Sequence, residues 1–141
     1  MDAIERAKKI VDKMFLHDPF SLWLGIERVE DGPGISVLRL KVRRDMLNGF
    51  SIAHGGIAYS LADSALAFAS NSHGIQCVSI ETSISHVQKV FEGDVISTRV
   101  DELSLNSKIG VYHIVVSNQH GVDVAIFKGS VYRTGKEWEI E

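Results

Sequence analysis

The feature that most constrains this chain is the segment His54–Asn71, which is helical in pattern and apolar over most of its circumference. Two neighbouring faces are apolar, with residues recurring at helical spacing: Ile57, Leu61, Ala65 and Phe68 on the first, and Ala58, Ala62, Leu66 and Ala69 on the second. Because a helix with so little polar surface is stable only when other elements cover it, the sequence predicts a long buried helix.

The remaining face of this helix carries one acid among small residues: Gly56, Ser60, Asp63, Ala67 and Ser70. From Met46 to Ile80, Asp63 is the only Asp, Glu, Lys or Arg, although 23% of the chain is charged. An ionised carboxylate in such surroundings needs hydrogen bonds, an opposite charge or water, and burial usually raises its pKa. Asp63 is therefore a candidate functional acid, and the alternative is an acid that caps a buried structural network.

The start of the helix is rich in glycine. Asn48-Gly49 predicts a turn, and His54-Gly55-Gly56 opens the helix with residues that let another group come close to the backbone. The first N–H groups of a helix lack internal partners and carry partial positive charge. With a glycine placed there, these N–H groups can hold a carbonyl oxygen that becomes negative during attack, a role worth about 3 kcal/mol per donor in known enzymes. A plain helix start is the alternative.

Gly55 and Asp63 cannot act on one carbonyl within a single subunit. Eight residues of helix separate them, about 12 Å along the axis, which is further than an aspartate side chain reaches. If both act on one substrate, they come from different chains, and a two-fold dimer then contains two such sites.

The other elements predict an α+β domain. Before the central helix, the patterns predict a helix at Ala3–Phe15, a hairpin of strands Leu22–Glu30 and Ile35–Val42, and a turn between them at Asp31–Gly34. After it, they predict strands at Val78–Ser85, Asp94–Leu103, Ile109–Asn118 and Val122–Thr134. A single apolar helix between strands is most easily buried by a curved antiparallel sheet wrapped around it. The 141 residues should form one domain, with an N-terminal helix and connector at 1–19 and the core at 20–134.

Composition points away from several classes of protein. Net charge is −3 and the basic residues are spread out, so we expect neither nucleic acid nor a membrane surface as partner. No apolar run has the length of a membrane span and the N-terminus lacks the apolar core of a signal peptide, so a cytoplasmic location is the expectation. The one cysteine, Cys77, has apolar neighbours and is predicted to be a buried, unreactive side chain. Metal-ligand spacings, phosphate-binding loops and nucleophile elbows are missing, so no metal and no cofactor are expected.

Several runs between about Phe20 and Thr134 form a recognisable pattern when taken together. They are Asn48, His54–Gly56, Leu61–Ala65, Asn71–Gly74, Lys108–Tyr112, Val116–Gln119, Ala125–Gly129 and Tyr132–Thr134. With these residues the chain resembles the hotdog-fold acyl-CoA thioesterases, particularly the type of the phenylacetate degradation pathway. The resemblance implies an antiparallel sheet around the central helix and hydrolysis of an acyl-CoA at a subunit interface. It further implies a homodimer with shared active sites, often paired into a homotetramer.

The resemblance also implies roles for individual residues. The Gly55 N–H, helped by His54, would polarise the thioester carbonyl, while Asn48 of the same chain positions substrate or water. Asp63 of the partner subunit would act as general base on water or as nucleophile. Ser79 matches a position that in some members holds the water or the carbonyl.

The resemblance places the CoA along two segments, His86–Phe91 and Ser104–Ile109. There Lys89 and Lys108 would meet its phosphates, with Gly56 and His86 among the substrate-binding residues; solvated surface charge is the simpler interpretation of both lysines. Members commonly carry an aromatic residue and a proline where this chain has His86 and Lys89, so the mouth of the CoA site should differ in shape.

Two other functions remain open on the same fold. One is a hydratase or dehydratase, which usually pairs a catalytic histidine with an acid, a pattern not seen here. The other is a non-catalytic module that binds or senses acyl-CoA. Such a module could dispense with Asp63, so the presence of this acid favours the thioesterase.

Overall fold

The computed structural model describes the whole chain, Met1–Glu141. A single 3₁₀ turn, Arg44–Met46, leads from the second strand towards the central helix. The helices and strands in chain order are α1 Ala3–Leu16, α2 Pro19–Leu24, β1 Glu27–Gly32, β2 Ile35–Lys41, α3 Gly55–Asn71, β3 Ile75–His86, β4 Val95–Leu105, β5 Ile109–Ser117 and β6 Asp123–Glu137.

All six strands form one antiparallel sheet in the order β1-β2-β4-β5-β6-β3. The central helix α3 lies against one face of this sheet and contacts every strand. The strand that follows it, β3, is an edge strand beside β6. The predicted α+β arrangement, a sheet wrapped around a long apolar helix, is confirmed.

The core lies between α3 and the sheet because both apolar faces of the helix are covered. Phe68 is buried and meets Phe15 of α1 edge-on, with 6.1 Å between ring centroids, so α1 covers part of α3. Gly129 of β6 faces the helix, and a Cβ there would lie 2.5 Å from Leu66 Cδ2. The close approach of β6 to α3 therefore requires a glycine.

The predicted strand Leu22–Glu30 is wrong in its first half. Residues Pro19–Leu24 form a short helix instead, and β1 begins only at Glu27. Asp18 caps this helix by accepting a hydrogen bond from the Ser21 N–H (3.0 Å), and Gly25 ends it with a left-handed conformation, φ +77°. An N-cap aspartate followed by proline at the first helical position, with a closing glycine, is a local helix signal that outweighed the apolar pattern.

Two other bounds differ by three residues from the predicted ones, and the rest by two at most. β3 begins at Ile75, three residues before the predicted start, and β6 continues to Glu137, past residue 134. Trp138 then donates its indole N–H to Asn71 Oδ1 (3.0 Å) at the end of α3. The C-terminal segment is thus tied to the central helix. No helix of the chain has the length and apolar character needed to cross a membrane.

Candidate active site

A cavity of about 350 Å³ lies at the start of α3. One side is formed by the loop before the helix and its first turn, and the other by the end of β3 and the residues after it. We call it the glycine cleft, and its predicted site residues are Asn48, His54, Gly55, His86 and Lys89. Ile57, Ala58, Val90 and Ile96 add an apolar lining.

The hydrogen bonds at the helix start separate the roles of the two glycines. His54 is the N-cap residue, and its Nδ1 accepts a hydrogen bond from the Gly56 N–H (2.9 Å). The Gly55 N–H has no partner within the chain. Because Nδ1 is an acceptor, a neutral His54 ring carries its proton on Nε2. Gly55 therefore presents the free backbone donor of the glycine cleft, and His54 fixes the turn that presents it.

Asn48 forms the turn that its sequence predicts. Its Oδ1 accepts a hydrogen bond from the Phe50 N–H (2.8 Å), and its carbonyl accepts one from the Ser51 N–H (3.0 Å). These bonds fix the side chain, and its amide NH₂ makes no hydrogen bond within the chain. The group that Asn48 offers to the cleft is thus a second donor near Gly55.

His86 stands across the cleft at the end of β3. A Cβ added to Gly55 would lie 3.1 Å from His86 Nε2, so the imidazole ring lies against the Gly55 backbone. His86 and Lys89 are both exposed and have no hydrogen bond within the chain that holds their side chains. They line the outer part of the glycine cleft and leave it open to solvent.

Asp63 lies outside this cleft. It lines a separate cavity of about 60 Å³ between α3 and β3, together with Ser70, Cys77 and Ser79. We call this the aspartate cavity. The Asp63 carboxylate makes no hydrogen bond or ion pair within the subunit, and burial raises its pKa. The hydrogen-bonded network that a purely structural role would need does not surround it.

Cys77 in the same cavity is half-buried and not fully buried as expected. Burial raises the pKa of its thiol, which keeps the sulfur in its neutral, weakly nucleophilic form.

Ser79 and Lys108 belong to the same end of the molecule as Asp63. Ser79 pairs with Val131 of β6, and Val131 pairs with Gly110 of β5, so Lys108 precedes β5 close to this row. The glycine cleft reaches Ile96 near the start of β4, whereas Lys108 follows the far end of that strand, about 30 Å away at 3.3 Å per residue. One subunit therefore does not bring Lys108 together with Lys89.

A third cavity, of about 300 Å³, escaped the sequence analysis. It lies between α2 and the start of α3 and is lined by Gly56, Ser60, Met46 and two aromatic residues, Phe20 and Trp23. The two rings are 6.1 Å apart, and both side chains are more than half exposed. The predicted strand at Leu22–Glu30 gave no reason to expect Phe20 and Trp23 side by side. The local helix signal that places both on α2 is Asp18-Pro19 followed by Gly25. Gly56 lines this cavity and not the glycine cleft.

The chain matches the thioesterase superfamily over residues 50–125 and belongs to this family. It is 34% identical over 122 residues to the acyl-coenzyme A thioesterase PaaI of Escherichia coli K12, covering 86% of this chain and 87% of the relative. The predicted resemblance to hotdog-fold thioesterases of the phenylacetate-pathway type is thereby confirmed.

Solved structures agree with this assignment. The E. coli PaaI protein from the phenylacetic acid degradation operon superposes with a TM-score of 0.93 at 32% identity, covering 96% of this chain and 99% of that one. A Streptococcus mutans UA159 protein bound to acetyl CoA superposes with a TM-score of 0.77 at 25% identity, covering 80% and 91%. The fold is therefore the hotdog fold of these thioesterases.

Proposed function

We propose that the protein hydrolyses acyl-CoA thioesters to free acid and CoA at an active site shared between two subunits. The observation that carries this proposal is the separation of a free donor, the Gly55 N–H, from an unpartnered acid, Asp63, in two cavities of one subunit. Thioester hydrolysis needs both a donor for the developing oxyanion and an acceptor for the proton of water. The E. coli relative is named an acyl-CoA thioesterase, which supports this substrate class.

In this mechanism the glycine cleft binds the carbonyl oxygen. The Gly55 N–H and the Asn48 amide NH₂ donate to it, and the positive end of the α3 dipole strengthens both bonds as the oxygen gains charge. His54 holds the helix start through its bond to the Gly56 N–H, and its Nε2–H is left to support the same oxygen.

The partner subunit supplies the acid. Asp63 of the partner subunit takes a proton from water that attacks the carbonyl carbon; the C–S bond then breaks, and the proton passes to the departing CoA thiolate. In the alternative, Asp63 attacks the carbon itself, CoA leaves, and water hydrolyses the resulting acyl–Asp63 anhydride to the free acid and the carboxylate. Its raised pKa makes it a better proton acceptor than an ordinary carboxylate, provided that it is ionised at the working pH. The partner's Ser79 lies in the same cavity and can hold the water. No cofactor is needed beyond the CoA of the substrate.

The edge strand β3 supports such a dimer. It is 12 residues long, and its outward-facing Val78 and Ile80 are 56% and 57% exposed. A long edge strand with free backbone groups is a template for pairing with another chain. If two β3 strands pair around a two-fold axis, the two α3 helices lie antiparallel, and the partner's Asp63 approaches Gly55. A tetramer of two such dimers is the further expectation from the family.

In the same arrangement two lysines from different chains can contact one CoA. His86 and Lys89 line the mouth of the glycine cleft, while the partner's Lys108 lies at the end of the sheet that supplies Asp63. The phosphates of one CoA can then meet Lys89 from one chain and Lys108 from the other. This explains why one subunit keeps these residues apart.

The test uses complementary lesions. Gly55→Pro removes the N–H at the first helical position, where proline is well tolerated, and His54 already has the extended backbone (φ −58°, ψ 139°) that precedes a proline. Gly55→Ala is the matched control, because it adds the same Cβ against His86 but keeps the N–H. Asp63→Asn is the second lesion.

Each lesion alone should remove nearly all release of free thiol from acyl-CoA, whereas Gly55→Ala should retain most of it. Randomly mixed subunits of the two lesions should regain about a quarter of wild-type activity, because half of the dimers then hold one intact site of two. No recovery in verified mixed dimers would contradict the shared site. A wild-type protein that binds acyl-CoA but releases no thiol would instead favour the binding module. Hydration of an enoyl-CoA without release of thiol would instead favour the hydratase.

A further inference from the structure

Tyr59 is a bulky side chain one helical turn before Asp63, beside the face of small residues that carries this acid. It lies four residues after Gly55 and four before Asp63. Its hydroxyl is hydrogen-bonded to Thr82 Oγ1 of β3, and its ring meets Phe127 edge-on, with 5.5 Å between centroids and 66° between planes. Tyr59 is thus held from two sides. The other residues of this face are small: Gly56, Ser60, Ala67 and Ser70.

Symmetry places Tyr59 at a particular point of the proposed dimer. If Gly55 of each subunit faces the partner's Asp63, the two α3 helices run antiparallel, and the midpoint between positions 55 and 63 is position 59. Tyr59 and the partner's Tyr59 then flank the two-fold axis. They stand between the two active sites, where the surrounding small residues let the helices come close.

The direction of the substrate follows from the cleft. The carbonyl oxygen lies at the Gly55 N–H, and the CoA leaves through the exposed mouth beside His86 and Lys89. Tyr59 does not line the glycine cleft of one subunit. In the proposed dimer the acyl group, on the other side of the carbonyl carbon, lies between the two α3 helices and extends from Gly55 towards Tyr59. Four helical residues separate Gly55 from Tyr59, about 6 Å along the axis.

We propose that Tyr59, fixed by Thr82, is the end wall of the acyl pocket and restricts the substrate to compact acyl groups. This inference rests on the proposed function. A depth of about 6 Å holds a phenyl group or an extended chain of about six carbons counted from the carbonyl, since each C–C bond of about 1.5 Å advances a zigzag chain by about 1.25 Å. Longer chains meet the phenol ring, which cannot swing aside without breaking the hydroxyl bond to Thr82 and the contact with Phe127.

The test compares kcat/KM for decanoyl-CoA and hexanoyl-CoA in a free-thiol assay. Tyr59→Ala should raise the decanoyl to hexanoyl ratio at least tenfold, mainly through a lower KM for decanoyl-CoA. Tyr59→Leu keeps an apolar contact with Phe127 and should raise the ratio by a smaller factor, so the test survives if the alanine variant does not fold. Tyr132→Ala makes the same truncation at an exposed tyrosine of β6 and should leave the ratio unchanged.

Thr82→Val removes the hydrogen bond that fixes the Tyr59 hydroxyl and leaves the Tyr59 ring in the protein. It should raise the ratio in the same direction as Tyr59→Leu, because a ring without its anchor can turn away from a longer chain. An active wild type whose ratio is unchanged in both Tyr59 variants would overturn the role of Tyr59 and leave the proposed function standing. A wild type that hydrolyses no acyl-CoA would overturn both.

Discussion

Gly55 and Asp63 lie on the same helix, yet each lines a cavity from which the other is absent. In a lone subunit, therefore, the Gly55 N–H has no catalytic acid beside it, and Asp63 has no oxyanion donor beside it. We expect specific activity to fall when the protein is diluted below the dimer dissociation constant, while secondary structure is retained. Activity and light scattering measured over one dilution series check this. Full activity in a verified monomer would rule out the shared site.

Replacing Asp63 by asparagine should lower turnover by about 10²- to 10⁴-fold, the range typical for loss of a general base. Folding should be preserved, because the carboxylate has no intramolecular partner to lose. The measurement is kcat with hexanoyl- and phenylacetyl-CoA beside a thermal unfolding curve. Asp101→Asn, an exposed acid on β4, is the control. Unchanged turnover in Asp63→Asn would remove this residue from the mechanism.

The raised pKa of Asp63 predicts the direction in which the stability of the protein changes with pH. Burial stabilises the protonated form in the folded state, so the unfolded state ionises first, near the ordinary value of 3.8. Stability is therefore lost as pH rises from this value through the raised pKa. Relative to Asp63→Asn, the wild type should be equally stable at lower pH and less stable at neutral pH. Thermal unfolding of both proteins across this range tests it, and a constant difference would contradict the burial.

Turnover, in contrast, depends on the ionised form of the Asp63 carboxyl. A base must be ionised, so the acidic limb of kcat should lie above pH 3.8 and be absent from the residual activity of Asp63→Asn.

His54 should act mainly through the helix start. His54→Ala removes the acceptor of the Gly56 N–H and should cost about 1 kcal/mol of unfolding free energy, as loss of an N-cap usually does. His54→Asn offers a capping oxygen without the ring and should restore both stability and most of the turnover. Chemical denaturation and kcat of the three proteins decide the matter. A stable but inactive His54→Asn would show that the ring itself acts on the carbonyl.

Local patterns in the sequence predicted the parts of the fold and site that depend on local geometry. The buried helix was expected at His54–Asn71 and lies at Gly55–Asn71, with His54 as its cap, because periodicity and glycine placement are properties of one segment. The same helical spacing separates Gly55 from Asp63. The strand at Leu22–Glu30 was wrong because a capping aspartate, a proline and a glycine determine that segment more strongly than its apolar residues.

Features that depend on tertiary contacts were beyond the sequence. Nothing in the local pattern indicates that His86 reaches the Gly55 backbone. This contact forms only where the end of β3 packs beside the start of α3 in the folded protein. Nor does spacing reveal that Lys89 and Lys108 stand at opposite ends of one subunit. Tyr59 was hidden by its place in a helical pattern, and its bond to Thr82 depends on where β3 lies.

The junction between α3 and the C-terminal segment should contribute to stability through one buried amide. Asn71 is 2% exposed; its Oδ1 accepts hydrogen bonds from the Cys77 N–H (2.8 Å) and the Trp138 indole (3.0 Å), and its Nδ2 donates to the Ala67 carbonyl (2.8 Å). Trp138→Phe removes one donor and leaves Oδ1 satisfied by Cys77, so we expect a cost of about 1 kcal/mol. Asn71→Ala removes the partner of both the Cys77 N–H and the Trp138 indole N–H, which are half-buried, and should cost about 2 kcal/mol or more.

Urea denaturation of the two single variants and the double variant measures these costs. If the indole acts through Asn71, the double variant should be little less stable than Asn71→Ala alone, because the bond it removes is already lost. Trp138→Phe should also keep wild-type turnover, since Trp138 lines neither the glycine cleft nor the aspartate cavity. Fully additive costs would mean that Trp138 stabilises the protein by its packing and not through the amide.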